Sequence, residues 1–193
     1  MREDDFIGQK FYWFSGEVQD IDDPEKWNRV KVKCHGYHPE GIEKEHLPWA
    51  TVMMPTTSAG TSNVGANHHL EKDSWVVGFF RDGASAQDPI VIGSITTSDD
   101  GTADLHSSAS TTNKIYRSKA GHLIELQNEE GNESIKVTHG KKGAYIEIDS
   151  DGVINISSTT GAINVTTTKG VNVTSSGDDV IVASGVGKKT KIV

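Results

Sequence analysis

The chain carries a single cysteine, Cys34, in 193 residues. An intrachain disulfide is therefore impossible, and a disulfide-stapled scaffold is excluded. Prolines number five and aromatic residues make up 7%. Hydrophobic residues reach only 34%, which is lean for one compact globule of this length. Apolar runs stay far short of the ~18–20 residues that span a bilayer. Positive charge is scarce as well: 19 Lys and Arg stand against 27 Asp and Glu, for a net charge of −8. The acidic excess lies wholly before residue 116. With no basic patch, a nucleic-acid partner is not expected, and a charge-balanced tail does not suit an anionic membrane surface. The opening MREDDFIGQK has no apolar centre. It is unlike a secretory signal, and synthesis in a cytoplasm is expected.

Glycine is plentiful, at 20 residues, together with Ser and Thr. Such a composition fits either disorder or a turn-rich β repeat, and the periodicity favours the repeat. In 151–182, DGVINISSTTGAINVTTTKGVNVTSSGDDVIV, apolar residues come in pairs that skip one position. The pairs are Ile154/Ile156, Ile163/Val165, Val171/Val173 and Val180/Val182. Upstream, Ile124/Leu126, Ile135/Val137 and Ile146/Ile148 follow the same alternation. Gly143, Gly152, Gly161 and Gly170 recur every nine residues and are expected at corners. Two aliphatic side chains per segment cannot offset the entropy of ordering eight or nine residues, about 1–2 kcal/mol each. A one-chain solenoid needs about 20 residues or more per coil, and this beat is too short to encircle a core. Several identical chains wound about one axis would solve both problems. The period therefore predicts an intertwined three-chain prism, a homotrimer, with those fourteen residues as its axial core.

The first 95 residues read differently, since they hold all four Trp and all five Phe. Five strands are expected within 11–20, 28–37, 49–54, 73–83 and 88–95, each apolar on alternate positions or rich in β-formers. DDPEKW marks a turn between the first two. Val30, Val32 and Cys34 should share one face of the second strand. No convincing amphipathic helix is visible, although a short helical turn near 2–7 is conceivable. Five short strands in about 95 residues predict a small Greek-key barrel of the OB type. The chain is thus expected to be all-β. It divides into a barrel at 1–95, a polar linker at 96–114 and a triple-stranded β-helix at 115–193.

The order of several phrases carries a family resemblance. Trp13 to Pro24 holds an aromatic-x-Gly-x-Val phrase before a DP turn. Then come RVKV at Arg29–Val32, GYHP at Gly36–Pro39, LPW at Leu47–Trp49 and PIVIG at Pro89–Gly93. GHLIEL and YIEIDSDG follow in the second half. The chain resembles the central spikes of contractile phage-tail baseplates, and the related VgrG spikes of type VI secretion. The resemblance implies a virion protein at the tail baseplate, made in the host cytoplasm. It implies a trimer whose barrels sit on a hub and whose needle pierces the host outer membrane. Because the barrel begins near residue 11, the hub is expected to be a separate protein. The stretch 96–114 is too short for the lysozyme domain some members carry. The last histidine is His139, so an iron-binding H-x-H apex is not expected. A small cap such as a PAAR-repeat protein is implied at Ile192 and Val193. The rival expectation is a glycan-binding adhesin or tail fibre, with the barrel as receptor module on a prism stalk.

Candidate chemistry has plainer readings. Cys34, His35, His38 and His46 lie close in sequence, but structural zinc wants four well-spaced ligands, and Cys34 shares the core face. His68 and His69 are adjacent and read as loop or interface residues. Glu125, Glu147 and Asp149 fall on the outward side of alternating strands, where solvation explains them better than glycosidase chemistry. Asp149-Ser150-Asp151-Gly152 has too few ligands for a calcium loop and reads as a turn. Trp27, Trp49 and Trp75 could form a sugar platform, though barrel packing and subunit contacts are the simpler expectation. No nucleophile elbow occurs. No catalytic residue, metal or cofactor is expected.

Overall fold

The structure is a computed structural model of the single chain. It describes residues 12–58, 64–97 and 110–182, with backbone alone at 5–6, 9–10, 98–99 and 102–103. The chain splits into two compact units, Met1–Leu105 and His106–Val193. The division falls inside the stretch read as a linker.

In the first unit, β1 (Tyr12–Asp20), β2 (Val30–Cys34), β3 (Trp49–Val52), β4 (Trp75–Phe80) and β5 (Pro89–Ile95) close into a barrel. The order is β1-β2-β3-β5-β4, and β4 returns to β1. Neighbours are antiparallel except β3 and β5, which run parallel with Thr51 opposite Ile90. Closure leaves no lateral edge. The core is Phe14, Val18, Val30, Val32, Cys34, Ala50, Val76, Phe80 and Val91. These residues alternate with outward ones along each strand, so period two alone places them inside. Gly78 lies where β1, β4 and β5 meet. A Cβ there would run into the Ile90 carbonyl and the Phe14 ring, so a larger residue would pry the wall open.

The DDPEKW turn is organised by one carboxylate. Asp23 accepts the backbone N–H groups of Glu25, Trp27 and Arg29 at 2.9–3.2 Å. It also takes both arms of the Arg29 guanidinium, at 3.1 and 2.7 Å. The Arg29 hydrogen bonds hold its carboxyl well below the usual carboxylate range. Outside the barrel, Asp5–Phe6 pairs with Gln9–Lys10. Of the helical turn conceived near 2–7, Asp5–Phe6 is extended instead, and the rest lies outside the described residues.

The second unit contains β6 (Asn113–Arg117), β7 (Leu123–Gln127), β8 (Ser134–Thr138), β9 (Tyr145–Ile148) and β10 (Ile154–Ser157). They form an antiparallel meander in sequence order. Each corner carries a left-handed glycine: Gly121, Gly131, Gly143 and Gly152, with φ between 64° and 83°. An L side chain is strained in that region. Gly143 and Gly152 thus sit where the nine-residue spacing places them. From 158 to 182 no strand is present, and Gly161 and Gly170 turn no hairpin. Within one chain those residues have no neighbouring strand to complete a ladder.

Candidate functional site

The meander has two unlike faces, and its registers fix which residues share each. Directly opposed residues in antiparallel strands project to the same side. One row runs Tyr116, Ile124, Val137, Ile146, Ile156. A second runs Lys114, Leu126, Ile135, Ile148, Ile154. Eight of these ten side chains are aliphatic, and all eight are 40–66% exposed. The barrel core, by contrast, is at most 4% exposed. The opposite face is half-buried and mostly polar, with Ile115, Glu125, Lys136, Glu147 and Asn155 in one row. There Lys136 Nζ lies 3.2 Å from Glu147 Oε1 and 4.3 Å from the centre of the Tyr145 ring. Burial is thus reversed relative to chemistry. Among the described residues the aliphatic side chains stay largely open to solvent, and the polar face serves its own cross-strand partners. A contiguous exposed apolar surface of this kind marks a place of association.

The ladder continues one row beyond β7 and β8. Ser118 N–H donates to the His122 carbonyl at 2.9 Å, and His139 N–H to that of Ala144 at 2.8 Å. His122 and His139 are brought together on the aliphatic side, ring centres 4.5 Å apart and planes at 82°. A cleft of about 520 Å³ opens beside them, lined by Val137, Ala144, Ile146, Ile156 and Ile163 among others. Sequence reasoning missed this pair because no ligand spacing links the two positions. Parity could have found it: 122 continues 124 and 126, and 139 continues 135 and 137.

The other expected core residues are not drawn into any buried cluster of one chain. Ile163, Val165, Val171, Val173, Val180 and Val182 are all exposed, on a segment without strands. Ile192 and Val193 lie outside the described residues. Lys114 and Tyr116 join the aliphatic face by register, although β6 begins at Asn113, inside the expected linker.

The Cys34, His35, His38 and His46 neighbours diverge. Cys34 is fully buried, and burial pushes its thiol up to about 12. His38 Nδ1 accepts the Cys34 N–H at 2.9 Å, and burial lowers its pKa. The His35 ring lies 4.8 Å from that of Trp75, while His46 sits exposed near Glu43. His68 and His69 line a cleft of about 280 Å³ with Met53, Met54 and Leu70. Among the described residues, no three His, Cys, Asp or Glu side chains gather as a metal cluster. Asp149 Oδ1 accepts the N–H groups of Asp151 and Val153 at 3.1 and 2.9 Å, and Oδ2 holds Asn155. That carboxylate builds a turn, as the sequence suggested. On the barrel, Arg29 covers the rings of Trp27 and Trp49, and Lys31 also faces Trp49, at 5.1–5.7 Å. The flat faces a sugar would need are shared with cations of the same chain.

A closed five-stranded OB-type barrel, followed by a sheet with one finished and one unfinished face, defines a β-rich protein of two contrasting units. The Gp5 N-terminal OB domain family matches residues 30–179, and the chain belongs to that family. The match begins at β2 and runs past β10, so it covers residues of both units. Over 71 residues the chain is 39% identical to the "Pre-baseplate central spike protein Gp5" of Enterobacteria phage T4, covering 33% of this chain and 12% of that protein. Over 91 residues it is 36% identical to "Protein Gp5" of Vibrio phage KVP40, covering 43% of this chain and 21% of that protein. The chain therefore spans a small fraction of the length of these relatives.

Proposed function

We propose that the chain is a structural spike of a contractile phage-tail baseplate, acting as a homotrimer and piercing the host outer membrane mechanically. The observation that carries this reading is the exposed aliphatic face of the meander. Eight Ile, Leu and Val side chains open to water on one sheet face form a core that lacks its other walls. Three copies of one sheet, each turning this face to a common axis, enclose a prism with no uncovered aliphatic surface. The pairs at 163/165, 171/173 and 180/182 would extend the axial stripe, and their strands would find ladder partners on neighbouring copies. A shaft closed in this way is narrow and stiff, which suits puncture under load. Membership of the Gp5 OB family and similarity to a named central spike support the same assignment.

In this reading the barrel docks on a separate hub protein, and the far end, at Ile192 and Val193, seats a PAAR-like cap. No residue acts as a catalyst, and the work comes from sheath contraction. Sedimentation equilibrium of the full chain tests the proposal. A mass three times the 20.9 kDa of one chain is expected. A folded monomer at micromolar concentration would remove the shaft and the function with it. The cap is tested separately: Ile192→Asp and Val193→Asp should abolish its capture, and unchanged capture would reject that contact.

A further inference from the structure

We infer that the His122–His139 pair makes this trimer joint acid-labile, a reading that rests on the three-copy assembly proposed above. The two imidazoles touch at the rim of the face that the other copies would cover. Both rings spend Nδ1 as an acceptor. His122 Nδ1 takes the Gly140 N–H at 3.4 Å, and His139 Nδ1 takes the Lys142 N–H at 3.2 Å. In the neutral ring the proton then resides on Nε2. Protonation puts a second proton on Nδ1, where it faces a backbone N–H, so donor meets donor at each ring. It also places two like charges side by side, next to Val137, Ala144, Ile146 and Ile156. Covering the face with further copies strips water from those charges, which is costly without a counter-ion.

Among the described residues, the charged groups at this end of the sheet do not supply one. Arg117 ends β6, Lys119 lies in the following turn, and Lys141 and Lys142 fill the β8–β9 corner. β7 and β9 carry Glu125 and Glu147, but on the opposite face, where Glu147 pairs with Lys136. Thr138, Ser157, Ser158, Ala162 and Ile163 also line the cleft and bring no charge. Acidification therefore loosens the β8–β9 corner and adds unpaired charge to the joint.

Subunit exchange between differently labelled full-length trimers, measured at pH 8 and pH 5, tests this. That interval spans the ordinary titration range of imidazole. Wild type should exchange on the order of tenfold faster at pH 5, as expected for like charges in partly desolvated contact. The double variant His122→Gln/His139→Gln keeps a neutral acceptor at each site and should lose that acceleration. If the double variant does not assemble, His122→Gln alone, which removes one of the two charges, should show a clearly smaller acceleration. An equal pH response in wild type and variant would overturn the inference while leaving the trimer intact. A wild-type monomer at pH 8 would overturn both, so the two failures are distinguishable.

Discussion

The two units solve one problem in different ways. Both are built from strands of four to nine residues with period-two patterning. In the barrel, β4 returns to β1, and nine side chains vanish from solvent inside one chain. In the meander, β6 and β10 never meet, and eight comparable side chains stay in water. The difference lies in closure rather than in hydrophobicity. A five-stranded sheet that curls on itself needs bulges and a bare glycine to bend. The barrel has them, with register shifts after Val18 and at Val77/Gly78, and Gly78 beneath Phe14. The meander keeps register through all four pairings. An unbent sheet hands its apolar face to whatever comes next.

Four measurements would break or sharpen this contrast. Ile146→Glu sits at the centre of the aliphatic face. It should abolish the proposed threefold mass in sedimentation while leaving barrel fluorescence unchanged, and a persistent trimer would mean the face is not the joint. Phe80→Ala empties the middle of the barrel. It should cost about 3–5 kcal/mol of barrel stability in urea titration, with far less effect on assembly. A loss below about 1 kcal/mol would mean the barrel relies on something other than its core.

The turn carboxylate gives a smaller, pH-dependent effect. Asp23 has its folded pKa depressed by Arg29, so its contribution is present above the unfolded value, about 3.9. It is lost as pH falls through that value toward the folded one. Wild-type urea midpoints should therefore fall more steeply below pH 4 than those of Asp23→Asn, and parallel curves would dismiss the turn as a source of stability. The smallest effect belongs to the polar face. Lys136→Ala should change stability by about 0.5 kcal/mol, within the range of partly exposed cross-strand ion pairs. A loss of several kcal/mol would show that this face, too, is covered in the proposed assembly.

Much of the barrel was legible in the sequence because one face of each strand is buried within the chain. Val30, Val32 and Cys34 alternate with Lys31, Lys33 and His35, and the structure buries the first three. The parallel contact of β3 with β5 was not legible. It joins Thr51 to Ile90 across nearly forty positions, and no local pattern encodes such a pairing. In the second half, the residues of the aliphatic face were readable from parity, from Ile124 through Ile156. The strand at Asn113–Arg117 was not, since Lys114 and Tyr116 hide the alternation behind a charge and a hydroxyl. The Ser98–Asp99 and Thr102–Ala103 ladder also escaped, because two-residue strands carry no periodicity. The histidine pair escaped for another reason: chemistry-based searching looks for ligand spacing, whereas contact here comes from strand register.

A meander in sequence order touches only its own predecessor and successor. Splicing one more hairpin onto its far end would leave every earlier pairing as it was and add two strands, about 9–10 Å of sheet. An odd insertion inside a strand would instead turn the whole remainder inside out. Such an architecture can be lengthened or shortened like a ladder with removable rungs, so its span can drift across generations in whole steps while the pairings inside the barrel stay untouched.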